Sequence, residues 1–385
     1  MKILFCLTYF APNKSGLTIY VDRLTRALAE DGHEVTILTS RHIPVLPKFE
    51  LCNGIAIHRL PVWLRLSKGV ITPGLLSKAW QLIRHADAVN LHLPQFEAGY
   101  LGVVARLLRK PLIVTYHSDL VLPKVLLNKI AGFFIRLSNR IAIRLSDSIV
   151  TNTYDFAEHS PALKIHLQKV VPISPPIVVE KISDQEVLDF CTKHNIEEGQ
   201  IIIGMAARMA SEKGVEYLIG ALKDILLTYP TACVLFAGEY RNVIGEEKYR
   251  DRILKMTGQL GAHWKFLGVD SQRERSAFYH RCNVLVLPSV NSTESFGMVQ
   301  VEALMCGTPV IATDLPGVRQ PVLQSGHGLV IPPMDSSALS AAILSILEKY
   351  SSKVNAEDYT RAFLPGAVAA KYLELFSNCI HQAGS

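Results

Sequence analysis

Residues 284–307 read VLVLPSVNSTESFGMVQVEALMCG, and this stretch decides the fold. Its apolar run, Val284 to Leu287, ends at Pro288 and predicts a buried parallel strand. A polar loop follows from Ser289 to Thr293. Met298, Val301, Leu304 and Met305 then recur at helical spacing, and Gly307 suits a helix stop. A helix that starts after such a loop has unbonded backbone N–H groups, here at Phe296, Gly297 and Met298, and these attract anions. Glu294 falls at the mouth of the helix and Glu302 about two turns along it. Carboxylates accept hydrogen bonds from hydroxyls, so the unit suits a phosphate beside a polyol, which describes a nucleotide sugar. Two glutamates near one helix are more often a solvated face with a favourable first-turn charge. Glu302, however, lies among apolar neighbours, where an acid needs a partner.

A second unit of the same kind is Ile201–Gly214, IIIGMAARMASEKG. Ile201–Ala206 predicts a buried strand, Arg208 and Lys213 follow in a short loop, and Gly214 opens a helix carrying Val215, Leu218, Ile219 and Leu222. A guanidinium forks onto phosphate oxygens and an ammonium acts as a point charge, so the pair suits a diphosphate. Surface exposure is the commoner fate of both residue types. The N-terminus repeats the pattern: the strand-like KILFCLT, the loop YFAPNKSG ending at Gly16, and a helix from about Leu17 to Glu30. Its spacing does not fit GxGxxG, so no dinucleotide fingerprint is read.

Taken in order, the Asn13–Gly16 loop, the TYHSD segment at Thr115–Asp119, the Arg208…Lys213-Gly214 segment and the Glu294…Glu302 pair resemble the family 4 glycosyltransferases of the GT-B fold, a retaining group. The resemblance covers nearly the whole chain. It implies that Glu294 binds hydroxyls of a donor sugar, Glu302 the ribose hydroxyls, and Arg208 and Lys213 the diphosphate. Gly16 would allow close approach of donor phosphate or acceptor, and His117 would lie by the anomeric carbon. His117, Arg208, Lys213 and Glu294 are thus the candidate catalytic set. Gly16, Arg208, Lys213, Gly238, Val269, Glu294, Phe296, Gly297, Met298 and Glu302 form the candidate donor site. The chain departs from the family pattern at Ser15 and at Ala207, each where a glycine is usual, at Tyr240, where a second glycine is common, and at Gln320, where an acid is common.

With 385 residues, 49% hydrophobic and 19% charged, the chain is long enough for two domains with full cores and is not of disordered composition. Its seven cysteines are scattered without a CxxC, which indicates neither a zinc site nor a disulfide framework and fits a reducing cytosol. No secretory signal is read, and no apolar run reaches 18 residues. Strand-like runs at 2–8, 35–39, 88–92, 111–116 and 148–151, then at 201–206, 232–237, 264–267, 284–287 and 309–312, alternate with helical patterns. That alternation predicts an α/β protein with parallel sheets covered by helices. The proline-rich stretch VPISPPIVV at Val171–Val179 reads as a linker. The expected organisation is two Rossmann-like, doubly wound domains facing across a cleft: 1–175 on the acceptor side and 176–357 binding the nucleotide sugar. The resemblance adds a C-terminal helix, 358–385, crossing back to the first domain.

Residues 1–175 carry 21 Lys/Arg against 11 Asp/Glu, whereas the remainder carries 19 against 23. A basic half suggests an anionic partner. No acidic residue occurs between Leu120 and Ser146, and at helical spacing Lys129, Arg136, Arg140 and Arg144 share one face with Leu127, Phe134, Ile141 and Leu145 opposite. One reading is a helix on an anionic membrane; the other is an ordinary amphipathic helix with its apolar side on the sheet. The neighbouring stretch 61–84 adds Trp63, Leu64, Leu76 and Trp80 with Arg65, Lys68 and Lys78.

The function expected from these features is metal-independent, retaining transfer of a hexose-type sugar from a UDP or GDP sugar to a lipid-linked glycan or other membrane-associated acceptor. No cofactor is required, and the chain contains no Asp-x-Asp triplet to hold a metal. The protein is expected to be cytoplasmic, peripheral at the cytoplasmic face of the membrane. Nucleic acid is not an expected partner, because no aromatic platform interleaves with the basic residues. Two alternatives remain: a nucleotide-sugar 2-epimerase of the same fold, and a non-catalytic nucleotide-sugar-binding, membrane-associated protein.

Overall fold

The computed structural model describes the chain except residues 14, 67–68, 121–125, 242, 244, 269–270, 351 and 385, and except the side chains of 66, 126–130 and 383–384. Two compact units result, Met1–Ile177 with Ala362–Ser385, and Val178–Arg361.

The first unit is built on strands β1 (Lys2–Cys6), β2 (Glu34–Arg41), β3 (Phe49–Cys52), β4 (Ile55–Pro61), β7 (Ala88–Leu93), β8 (Leu112–Tyr116), β9 (Ser148–Thr151) and β10 (Val170–Pro172). A separate two-stranded ribbon, β5 (Leu64–Leu66) and β6 (Gly69–Ile71), lies between β4 and β7 in sequence. The main sheet runs β10-β9-β8-β7-β1-β2-β4-β3, parallel except for the β3–β4 hairpin, whose turn places Asn53 and Gly54 at φ 50° and 77°. The chain winds outward from β1 and then returns to β7 on β1's other side, so the strand order reverses between β1 and β7. Both faces are covered, which is why β7 and β8 are buried at every position. On one face Leu4, Val89, Leu91 and Val114 pack against helices α2 (Leu75–His85), α3 (Ala98–Leu107) and α4 (Leu126–Leu145). On the other, Ile3, Phe5 and Ile37 pack against α1 (Gly16–Glu30) and the C-terminal helix Pro365–Gly384, through Val21, Leu24, Tyr372 and Phe376.

Helix α4 corrects an expectation. Periodicity placed Phe134 and Ile141 on the side an ordinary amphipathic helix would bury, yet they are 52% and 38% exposed, with Phe133 and Leu137 exposed beside them. The buried stripe is instead Gly132, Ile135, Asn139, Ala142 and Ile143. Close packing on α3 explains this: a Cβ on Gly99 would meet the Ser138 carbonyl at 3.0 Å, and one on Gly102 would meet the Ala142 Cα at 3.4 Å. Two backbones this near leave room for small residues only. Arg136, Arg140 and Arg144 are exposed too, so the outer face of α4 is mixed basic and aromatic. The side chain of Lys129 lies outside the described residues.

The second unit holds β11 (Ile202–Ala206), β12 (Cys233–Ala237), β13 (Trp264–Leu267), β14 (Val284–Leu287), β15 (Val310–Thr313) and β16 (Gly328–Ile331) in the all-parallel order β13-β12-β11-β14-β15-β16. One face packs on the helices Val215–Thr228 and Ser336–Lys349, the other on Gln272–Arg281 and Met298–Met305. Here the order reverses between β11 and β14. Ligands bind at such a reversal, outside the carboxyl ends of the strands. Among the described residues, no helix is long and apolar enough to cross a membrane.

Candidate active site

In the second unit the loops after β11 and β14 meet at the reversal. The Val290 N–H donates to the Glu212 carbonyl at 3.0 Å. Gly214, at φ 66°, comes so near that a Cβ there would lie 2.2 Å from the Pro288 carbonyl oxygen. Only glycine satisfies both the left-handed backbone and the contact. This clamp brings Lys213 against Glu294, and the Lys213 ammonium pairs with the Glu294 carboxylate, both side chains largely buried. Arg208 is half-exposed, 3.7 Å from Glu212.

Two helices point their starts at these loops from glycines, Val215–Thr228 from Gly214 and Met298–Met305 from Gly297, and the Val215 N–H donates to the Tyr249 hydroxyl at 3.1 Å. Their first N–H groups and positive dipole ends favour an anion. Gly297, at φ 78°, also packs where a Cβ would sit 2.2 Å from Leu287 Cδ2. Phe296 is buried and Met298 begins the helix. Gly238, at φ 142°, passes the Ala207 carbonyl at a distance that excludes any Cβ, and the Met209 N–H donates to the Glu239 carbonyl at 2.8 Å. Tyr240, standing where a glycine is common in the family, stacks on Phe266 at 4.6 Å, and the Arg241 guanidinium lies over its ring at 5.2 Å. Val269 lies outside the described residues.

Glu302 is 5% exposed, and the Tyr279 hydroxyl donates to its Oε2 at 2.8 Å. Sequence reasoning saw that this acid needs a partner but did not find Tyr279. The tyrosine is 23 positions away on a different helix, and only the packing of the two helices joins them.

In the first unit the candidate residues sit differently. His117 follows β8, and its Nε2 lies 2.8 Å from Nδ1 of His92, in β7. The rings stack with centroids 5.1 Å apart, and Tyr20 meets His117 edge-on at 4.9 Å. The Tyr20 hydroxyl lies 2.8 Å from the Tyr372 hydroxyl of the C-terminal helix, which in turn lies 3.0 Å from Thr115 Oγ1. Burial holds His117 at a pKa of about 3 and His92 also well below 6.5, with His117 a further cause for His92. Both rings are neutral at physiological pH. His117 keeps part of its surface exposed and is accessible to a ligand; His92 is fully buried. His92, Tyr20 and Tyr372 were not anticipated. The signal was present in β7, whose sequence AVNLHL puts Asn90 and His92 on one face of a fully buried strand.

Asp119 accepts hydrogen bonds from the Tyr116 hydroxyl at 3.0 Å and from Ser160 Oγ at 2.6 Å, so its carboxylate is turned into the structure. Gly16 is the first residue of α1, whose start is closed by its own capping box: the Ser15 side chain accepts from the Thr18 N–H, and the Thr18 side chain from the Ser15 N–H. Serine in place of a glycine thus spends hydrogen-bonding capacity that the loops of the second unit leave open. Among the described residues no three His, Cys, Asp or Glu side chains converge as a metal site.

Two doubly wound parallel sheets, one presenting an ion pair and two helix starts at its reversal, give the α/β architecture of the GT-B fold. The sequence agrees: residues 14–181 match the family model Glycosyltransferase Family 4, and residues 189–363 match Glycosyl transferases group 1. The chain belongs to the family 4 glycosyltransferases. It is 24% identical over 351 residues to the phosphatidyl-myo-inositol mannosyltransferase of Mycolicibacterium smegmatis, covering 90% of this chain and 85% of the relative. It is 24% identical to the D-rhamnosyltransferase WbpZ of Pseudomonas aeruginosa, covering 89% and 86%. Among solved structures, Anabaena HepE in complex with UDP superposes with a TM-score of 0.75 at 18% identity, covering 98% of this chain and 100% of that one. Sucrose-phosphate synthase from Thermosynechococcus elongatus gives 0.76 at 21% identity, covering 99% of each.

Proposed function

We propose that this glycosyltransferase is a retaining enzyme that moves a hexose-type sugar from a UDP or GDP sugar to a lipid-linked or otherwise membrane-associated acceptor. The observation that carries the donor reading is the Lys213–Glu294 pair set between two helix starts. An ammonium, a half-exposed guanidinium at Arg208 and the positive dipole ends of two helix starts suit a diphosphate; the adjacent Glu294 suits sugar hydroxyls, and Glu302 suits the ribose. Phe296, Gly297, Met298 and Gly238 supply the backbone around it. As the glycosidic bond breaks, negative charge grows on the leaving phosphate, and these positive groups are already in place to meet it. The acceptor hydroxyl attacks the anomeric carbon on the face the diphosphate leaves, and its proton passes to the leaving phosphate oxygen. His117, neutral and partly exposed, donates or accepts a hydrogen bond to the sugar without adding charge.

The named relatives support the acceptor class, since one acts on a phosphatidylinositol. The outer face of α4 supports it independently, with Arg136, Arg140 and Arg144 beside exposed Phe133, Phe134 and Leu137. This suits peripheral attachment at the cytoplasmic face of a membrane. Trp63, Leu64, Leu76 and Trp80 add further exposed apolar surface to the same unit.

The donor test is thermal stabilisation of the chain by UDP-, GDP-, ADP- and TDP-sugars, without added metal. A shift with one nucleotide class, lost in Glu302→Ala, is expected; no shift with any of them overturns the donor reading. Neutralising Arg136, Arg140 and Arg144 together should weaken binding to phosphatidylserine vesicles by about 1 kcal/mol per charge and leave donor affinity unchanged. Unchanged vesicle binding returns α4 to an ordinary surface helix.

A further inference from the structure

On the face of the first sheet that packs on α1 and the C-terminal helix, Tyr20, Asn90, His92, Thr115, His117 and Tyr372 form one connected group. Counting protons gives its direction. Asn90 Oδ1 can only accept, so Thr115 Oγ1 donates to it, at 3.0 Å. With that proton spent, the Tyr372 hydroxyl donates to Thr115, and the Tyr20 hydroxyl donates to Tyr372. The chain of donors starts at Tyr20 and locks its ring, whose edge meets His117 with the two planes at 89°. The His117 backbone is pinned as well, its N–H donating to the Leu93 carbonyl at 3.0 Å. The ring itself is held by His92. His117 Nε2 and His92 Nδ1 lie 2.8 Å apart, so one proton sits between them, and its owner decides the tautomer of both neutral rings. If it belonged to His117, the His92 proton would sit on Nε2, a buried atom with no partner among the described residues. If it belongs to His92, only a bare ring nitrogen is left there. Orphaned buried N–H groups are rarer in folded proteins than acceptors left short of a donor.

We infer that His92 is a positioning residue for the transfer reaction: it carries its proton on Nδ1, donates it to His117 Nε2, and so fixes the His117 ring proton on Nδ1. The inference rests on the reading above in which His117 meets the donor sugar, and it decides between the two roles left open there. With Nε2 engaged as an acceptor, His117 acts through Nδ1 as a donor only. A neutral donor polarises a sugar oxygen without setting a cation beside the positive charge that grows at the anomeric carbon as the phosphate departs. His92 is fully buried, so water does not compete for its proton. Its ring stacks on Phe5 at 5.7 Å, and Phe5 in turn meets Phe376 edge-on at 6.4 Å. The C-terminal helix thus reaches His117 by two routes, from Tyr372 through Tyr20 and from Phe376 through Phe5 and His92.

The test is long-range ¹H–¹⁵N correlation NMR of the full chain with ¹⁵N-labelled histidine, which reports the tautomer of each ring, on wild type, His92→Leu and His92→Asn. The His117 signals are assigned by their loss in His117→Gln. Turnover of the same proteins is followed as nucleotide released from UDP-glucose and from GDP-mannose. In the wild type His117 should carry its proton on Nδ1. In His92→Leu it should revert to Nε2–H, the form a free histidine side chain prefers, and kcat should fall about ten-fold, the scale of one hydrogen bond misdirected, with KM for the nucleotide sugar unchanged. Asparagine can place an amide N–H where His92 Nδ1 stands, so His92→Asn should restore the Nδ1–H form and most of kcat. Leucine removes a buried unpaired nitrogen, so melting temperature should hold. A wild-type His117 found as Nε2–H, or a tautomer that His92→Leu leaves unchanged, overturns the inference. So does a loss of kcat in His92→Leu that His92→Asn fails to relieve, which would mark His92 as packing only. If the tautomer follows His92 but neither sugar is turned over, or His117→Gln works at the wild-type rate, the pairing stands and the role given to His117 is what fails.

Discussion

Both units place polar residues at the carboxyl ends of a parallel sheet, but they prepare them for opposite kinds of ligand. In the second unit the groups are charged: Lys213 paired with Glu294, Arg208 half-exposed, and two helices started by glycines. In the first they are neutral or closed: His92 and His117 held uncharged by burial, Asp119 satisfied by Tyr116 and Ser160, and the α1 start capped by Ser15 and Thr18. The same topology thus carries paired charges in one unit and neutral or satisfied polar groups in the other. What separates them is local: glycine or serine at the helix start, and whether the buried polar groups pair with one another or await a ligand.

The comparison breaks most readily at Lys213. If the second unit works on charge that develops in the reaction, Lys213→Ala should lower turnover by roughly 10²–10³-fold, the scale of losing one preorganised stabilising group. The substitution also leaves Glu294 unpaired, so Lys213→Ala with Glu294→Gln should fall less than the two single losses combined, because the pair acts as a unit. Steady-state transfer assays decide this, and full activity in Lys213→Ala removes the phosphate role.

The first unit makes a pH prediction of the opposite sort. His117 stays neutral in the folded chain down to about 3, whereas in the unfolded chain it titrates near 6.5. Below about 6.5 the unfolded state therefore binds more protons. The contribution of the neutral ring is complete above pH 6.5 and is lost as pH falls toward 3, at up to about 1.4 kcal/mol per pH unit. His92 acts in the same direction. Denaturant unfolding between pH 7 and 4.5 should show this slope, reduced in His92→Gln. A slope that the substitution leaves unchanged would mean the histidines are solvated, and the contrast between the units would fail.

The strands that sequence displays most clearly are those buried on both faces, such as Val284–Leu287 and Cys233–Ala237, where an unbroken apolar run leaves no other reading. The strands β3, β4, β5, β6, β10 and β16 were not anticipated. β3 and β10 are sheet edges, and β4 alternates buried and half-buried residues through a His and an Arg, so its sequence reads as mixed. In the candidate site, residues that announce themselves by charge beside a strand end, Arg208, Lys213 and Glu294, were legible. Groups supplied by distant segments were not: His92 behind His117, and Tyr372 from the C-terminal helix. Their chemistry exists only once the fold brings them together. Helix α4 shows the same limit, because its buried stripe is chosen by the glycines of α3, which its own periodicity does not contain.

Arg208 should matter less than Lys213. It is half-exposed and its one recorded ion pair, with Glu212, spans 3.7 Å. Exposed charges are screened, so Arg208→Ala should reduce turnover by about ten-fold in low salt, with the deficit narrowing as wild-type activity itself falls in high salt. Equal losses for Arg208→Ala and Lys213→Ala would show that the ligand draws Arg208 out of solvent, and that the order of burial seen here does not rank the two cations.

The smallest expected effect sharpens the comparison most, because it concerns a deeply buried acid of the second unit. Glu302 resembles the first unit's polar groups in being deeply buried, yet by the donor reading it serves the charged ligand. Tyr279 reconciles the two, since its hydroxyl holds one carboxylate oxygen and so fixes the direction of the other. Tyr279→Phe removes a single hydrogen bond from a buried pair without changing shape. It should weaken nucleotide-sugar binding by about 1 kcal/mol, roughly five-fold, and leave turnover at saturating donor unchanged. A fall in turnover with donor affinity intact would place Glu302 in the chemical step. If neither changed, the Tyr279–Glu302 pair would belong to the packing between the two helices, and the ribose would have to be held elsewhere.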